Sequence, residues 1–120
     1  QMCIRDRVSI VCDAKIYRNC AISIAKGADG DVRLASAQAA DELLTLENVK
    51  ASFVIYESGG KICISARSFG AVNVQIIMEK LGGGGHQTMS ATQLSDINKE
   101  QALKMLIEVI DTNLEDASCK

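Results

Sequence analysis

Residues 82–86 read Gly-Gly-Gly-Gly-His, and this histidine is the chain's only one. Glycine loses more backbone freedom on folding than any other residue, so four in a row oppose a compact domain. Taken by itself the run has no packing value, and the usual compensation is a backbone that must come close to something. Successive main-chain N–H groups in such a bend can hold an anion. The imidazole of His86 adds a donor, an acceptor or a charge at the same place. The stretch therefore predicts a ligand cradle of the phosphate-binding kind. A flexible linker between two packed elements is the plainer reading of the same composition, and a lone histidine is commonly structural or merely exposed.

The 120 residues suffice for one domain with a real core and are too few for two. A net charge of −2 argues against strong non-specific binding to long nucleic acid. The aromatics are only Tyr17, Phe53, Tyr56 and Phe69, too few for a row of base-stacking platforms. Cys3, Cys12, Cys20, Cys63 and Cys119 are odd in number and irregularly spaced, which suits reduced thiols of a cytoplasmic protein better than disulfides or a zinc site. No apolar run is long enough to cross a bilayer, so no membrane contact is expected of this segment. Residues 1–7, Gln-Met-Cys-Ile-Arg-Asp-Arg, join poorly to the chain from Val8 onward and read as a non-native or unstructured start. On that reading the natural protein extends further toward its N-terminus, and residues 8–120 form the domain.

Hydrophobic periodicity orders the rest. Asp13–Tyr17 and Cys20–Lys26 read as short strands around an Arg18-Asn19 turn, with a further extended piece at Val32–Leu34. Ser36 is a fair N-cap for a helix over 37–47 with Ala37, Ala40, Leu43, Leu44 and Leu46 inward. Residues 51–56 and 62–67 flank Ser58-Gly59-Gly60 as a hairpin, in which Arg67 falls on the face opposite Ile62 and Ile64. Asn73 caps a helix whose Val74, Ile77, Met78 and Leu81 recur at helical spacing, and Gly82 stops it. A strand near 91–95 precedes a last helix opened by an Asn98/Gln101 capping box and ending about Leu114. The expected fold is an α/β domain with a mixed sheet of about five strands covered by helices.

Few residues offer chemistry. No Gly-Lys-Ser/Thr comes after the glycines, so they are not a nucleotide-triphosphate loop, and they come after a helix rather than a strand, unlike a dinucleotide fingerprint. Arg67 is either a surface ion pair or a guanidinium fork for phosphate, with Ser65 and Ser68 near it. Asn73 is a helix cap that can also face an anion. Asp29-Gly30-Asp31 lacks the oxygen ligands of a calcium loop and reads as a solvated turn. One histidine cannot assemble a two-metal hydrolytic centre, and no nucleophile and base stand paired. The residues bind and position; they do not hydrolyse.

Ile64-Ser65-Ala66-Arg67-Ser68, Val72 to Glu79 and Gly82 to His86 resemble the DHHA1 domain of DHH-type phosphoesterases. Ala39 to Leu44 and Lys50 to Val54 add a likeness to the cyclic-di-AMP phosphodiesterases of the GdpP type, over roughly Tyr17 to Ile110. The resemblance implies that Gly83, Gly84, Gly85 and His86 contact substrate phosphate, that Arg67 grips it, and that Ser65 and Asn73 are weaker neighbours. It implies two metal ions, usually manganese, in an upstream DHH domain of the same polypeptide, and none in this chain. The substrate would be a cyclic dinucleotide or a short oligonucleotide, opened or cleaved by hydrolysis, with this segment alone inactive. A homodimer and an N-terminal membrane anchor on the parent protein are compatible with the same family. Met89 and Ser90 stand where the family usually has small residues, often alanines. Two alternatives share the domain: an oligoribonuclease or RecJ-like nuclease, and an RNA-binding appendage such as that of alanyl-tRNA synthetases.

Overall fold

A computed structural model describes residues 2–26 and 30–118, with side chains placed for 7–26 and 32–113. The chain runs through α1 (Met2–Cys12), β1 (Lys15–Tyr17), β2 (Cys20–Ile24), α2 (Gly30–Leu43), β3 (Ala51–Ser58), β4 (Lys61–Ser68), α3 (Val74–Lys80), β5 (Gly84–Gly85), β6 (Met89–Leu94) and α4 (Lys99–Ser118). One six-stranded mixed sheet has the order β1-β2-β3-β4-β6-β5. Only β2 and β3 pair in parallel, across the α2 crossover; the other neighbours are antiparallel.

Helices cover both faces. Phe53, Ile55, Ile62 and Ile64 pack with Val74, Ile77, Met78, Leu106 and Ile110 from α3 and α4. Ala21, Val54, Tyr56 and Cys63 pack on the other face with Ile10 of α1 and Val32, Ala35, Ala39 and Leu43 of α2. A strand covered on both sides needs no polar alternation, which is why Ala51 to Tyr56 are buried without a break.

Several expectations are corrected. Val32–Leu34 is helix, not strand, and α2 begins well before Ser36. Val32, Ala35, Ala39 and Leu43 make one buried stripe along it, and this packing overrides the extended preference of a lone valine. Ser36 is fully buried inside α2, its hydroxyl without a partner among the described residues, and caps nothing. Leu46 is 42% exposed because the helix ends at Leu43. Gly30 and Asp31 belong to α2 rather than to a solvated turn, while Asp29 lies outside the described residues. Of the start expected to be non-native or unstructured, residues 2–7 belong to α1, which docks through Ile10: its carbonyl accepts from Ser23 Oγ at 2.6 Å.

The other two N-caps hold as read. Asn73 accepts from the amides of Gln75 and Ile76, and Asn98 and Gln101 exchange side-chain-to-backbone bonds at 2.7 and 2.8 Å. Cys20 and Cys63 are buried free thiols and Cys12 is an exposed one; the side chains of Cys3 and Cys119 lie outside the described residues. No helix among the described residues is long and apolar enough to cross a membrane.

Candidate functional site

The glycine run is bound into the sheet. Gly82 comes directly after α3 at φ +87°, and the amides of Gly82 and Gly83 donate to Glu79 and Met78 carbonyls, closing the helix end. Gly84 and Gly85 then form β5, paired with Ala91 and Ser90 of β6. A Cβ on Gly83 would stand 2.1 Å from the Ala91 carbonyl, and one on Gly85 2.6 Å from the Met89 carbonyl. So two of the four glycines are demanded by close backbone approach, and the run has packing value after all. Gly84 differs: a Cβ there would meet nothing within 4 Å. Its smoothness serves no contact inside the described chain.

The amides are also largely spent. His86 and Met89 exchange both main-chain hydrogen bonds, making them a bonded pair of the hairpin. Antiparallel ladders alternate bonded and non-bonded pairs, so Gly84 and Ala91 form the next bonded pair and the Gly85 N–H points away from β6. An anion cradle of successive free amides is therefore not what the glycines build. They build a flat, side-chain-free strip.

That strip is the floor of a cleft. Residues opposite one another across a ladder share a face. Gly84 on β5, Ala91 on β6 and Ser65 on β4 form one row, with Met89 and Arg67 in the next row on one side and Gln93, Cys63 and Tyr56 on the other. This is the face covered by α2 over β3, and the cleft opens where α2 stops covering. One hollow of about 380 Å³ is lined by Arg33, Tyr56, Ser65, Arg67, Gly84 and Met89 among others. A second, of about 410 Å³, shares Arg33, Tyr56 and Ala91 and continues to Cys63, Gly83 and Gln93. Among the described residues no carboxylate lines either hollow.

Arg67 enters at the end of β4 with its direction set. Its Nε donates to Asp41 Oδ1 at 3.2 Å and its Nη1 to the Ala66 carbonyl at 2.9 Å, and the side chain is 12% exposed. Burial pushes the Tyr56 hydroxyl above the usual phenol range, opposed in part by its hydrogen bond with Ser65. Tyr56 thus stays a neutral O–H donor at ordinary pH. Burial likewise raises the Cys63 thiol, so it is not a poised nucleophile.

The structure brings Ser65, Arg67, Gly83, Gly84 and Gly85 together and leaves two expected residues outside that lining. His86 is exposed on the turn after β5, a turn pinned by Thr88 and Gln87 carbonyls accepting from the amides of Ser68 and Val74. Asn73 belongs to the α3 side of the sheet, where its carbonyl oxygen is engaged as the cap. Tyr56 and Arg33 are among the lining residues that the sequence reading missed. Tyr56 could have been found from its pairing with Cys63 in the expected hairpin; Arg33 could not while 32–34 read as strand. Among the described residues no group of three His, Cys, Asp or Glu is placed to hold a metal ion.

The match to known proteins spans the same segment. A family model described as the DHHA1 domain covers residues 19–112. The chain belongs to the DHHA1 family. It is 55% identical over 92 residues to the cyclic-di-AMP phosphodiesterase GdpP of Geobacillus thermodenitrificans, covering 74% of this chain and 14% of that protein. It is 57% identical over 77 residues to the cyclic-di-AMP phosphodiesterase PdeA of Listeria monocytogenes, covering 63% of this chain and 12% of that one. Among solved structures, an exopolyphosphatase-related protein from Bacteroides fragilis superposes with a TM-score of 0.82 at 22% identity, over 93% of this chain and 35% of its own, a likeness of fold. The chain thus spans about a seventh of the length of these curated relatives.

Proposed function

We propose that this DHHA1 domain is the substrate-binding part of a cyclic-di-AMP phosphodiesterase, a hydrolase that opens the cyclic dinucleotide to the linear one. The observation that carries the reading is Gly84: a glycine that no described contact requires, in one cleft with the pre-aimed Arg67. An identity of 55–57% to two cyclic-di-AMP phosphodiesterases supports cyclic-di-AMP as the ligand.

Each residue has a share. Arg67 grips a phosphodiester with the guanidinium edge that Asp41 and Ala66 leave open. Ser65 and Tyr56 donate hydroxyl hydrogen bonds, and the bare Gly84 strip lets the sugar-phosphate backbone lie against β5 and β6. The exposed His86 stands at the rim and meets the substrate from the side on which an upstream DHH domain closes. That domain would hold the two metal ions, manganese as the family implies, because the described residues offer no fitting set. Binding and orientation are this chain's part, and alone it does not turn substrate over.

Titration of the chain with cyclic-di-AMP tests the site directly. Saturable binding that Arg67→Ala and Gly84→Leu both weaken at least tenfold, with thermal stability kept, is the expected result. Equal affinity in both variants overturns the assignment. In the parent protein, Arg67→Ala and His86→Ala should each lower hydrolysis while leaving the fold intact.

A further inference from the structure

Arg33 lines both hollows of the cleft, standing on α2 where the two adjoin. It is exposed and makes no hydrogen bond or ion pair with a described side chain. Arg67 differs in being tied to Asp41 and largely buried. Two guanidinium groups thus face a space that no described carboxylate lines, and a cleft walled by one sign of charge concentrates its potential on whatever enters. The two hollows are of similar size, near 380 and 410 Å³, and Ala91 of the Gly84–Ala91–Ser65 row lines both.

We propose that Arg33 is a second anion contact, taking the other phosphodiester of a dinucleotide whose first phosphodiester lies against Arg67 and Gly84. This rests on the reading of the cleft as a cyclic dinucleotide site and deepens it: the domain selects ligands by the presence of two phosphates. Arg33 also acts on the hydroxyl of Tyr56 and the thiol of Cys63, drawing both toward ionisation against the larger opposing effect of burial. Its charge therefore reaches the floor of the second hollow. As an exposed side chain on a helix, it is free to swing onto a phosphate at little structural cost.

Equilibrium titration of the chain with cyclic-di-AMP, which has two phosphodiesters, and with the dinucleoside monophosphate ApA, which has one, separates the possibilities. The unaltered chain should favour cyclic-di-AMP by roughly tenfold, the size of one charge-assisted hydrogen bond. Arg33→Gln should erase that preference and leave ApA binding unchanged, and Arg33→Lys should keep part of it. Cyclic-di-AMP binding unaltered by Arg33→Gln, or an equal loss for both ligands, overturns the Arg33 assignment while the cleft reading stands. Failure of the unaltered chain to bind either nucleotide overturns both.

Discussion

Arg67 Nε and Asp41 Oδ1 lie 3.2 Å apart, joining the end of β4 to α2, with the arginine 12% and the aspartate 65% exposed. The pair aims the guanidinium but also opposes its charge. A second anchor, the Ala66 carbonyl, holds Nη1 independently. Asp41→Asn keeps an acceptor for Nε and removes the competing carboxylate. Cyclic-di-AMP should then bind about two- to fivefold more tightly, the scale of a partly exposed charge pair. Fluorescence or calorimetric titration at fixed salt checks this, and weaker binding would show that Asp41 matters by placing the guanidinium rather than by opposing it.

Gly83 and Gly84 are neighbours with opposite requirements. Gly83→Ala drives a Cβ against the Ala91 carbonyl and the Cα and Cβ of Thr92, atoms fixed in the β6 ladder, so a loss of about 1–3 kcal/mol or more is expected. In a domain this size each kcal/mol lowers Tm by roughly 4 °C or more. Gly84→Ala meets open space and should leave Tm within about 2 °C, while reducing ligand affinity. Thermal melts with matched titrations separate the two, and a parallel loss of stability in both variants would deny Gly84 a ligand role.

How much of the fold was legible in the sequence depended on periodicity. The hairpin β3–β4, the Asn73 and Asn98 caps, α3 and α4 carry regular two- or 3.6-residue patterns with local cap chemistry, and all are present. The α2 start was hidden because its stripe is mostly alanine, a weak hydrophobic signal beside Val32. β5 was hidden for a deeper reason: glycine has no side chain to alternate, so a strand of two glycines leaves no period. Its pairing is dictated by β6 and by the end of α3, both distant from the local pattern. For the site, Arg67's face came from strand alternation, whereas the sharing of one cleft with Gly84 needed the β4–β6–β5 order.

Asn73 separates stability from binding. Its side chain accepts from the amides of Gln75 and Ile76, and it sits on the face of the sheet away from the cleft floor. Asn73→Ala should cost about 1 kcal/mol, read as a lower denaturant midpoint with unchanged slope. Cyclic-di-AMP affinity measured in the absence of denaturant should be unaltered. A substantial loss of affinity would bring Asn73 back into the ligand's reach.

The buried thiols set an alkaline limit. Burial pushes Cys20 up to about 11 from 9.0 and also raises Cys63 and Tyr56. Each group keeps its proton longer in the folded than in the unfolded chain. Stability from this source is therefore full below the unfolded pKa, and for Cys20 it declines as pH climbs from 9 toward 11. Cys20→Ala should flatten that decline relative to its own stability at pH 8, whatever the cavity costs overall. At pH 8 a thiol reagent should modify the exposed Cys12 promptly, and Cys20 and Cys63 only on the timescale of opening. Peptide mapping of the labelled chain reads this order, and early labelling of Cys63 would mean that the second hollow opens more readily than the packing of α2 on β3 and β4 allows.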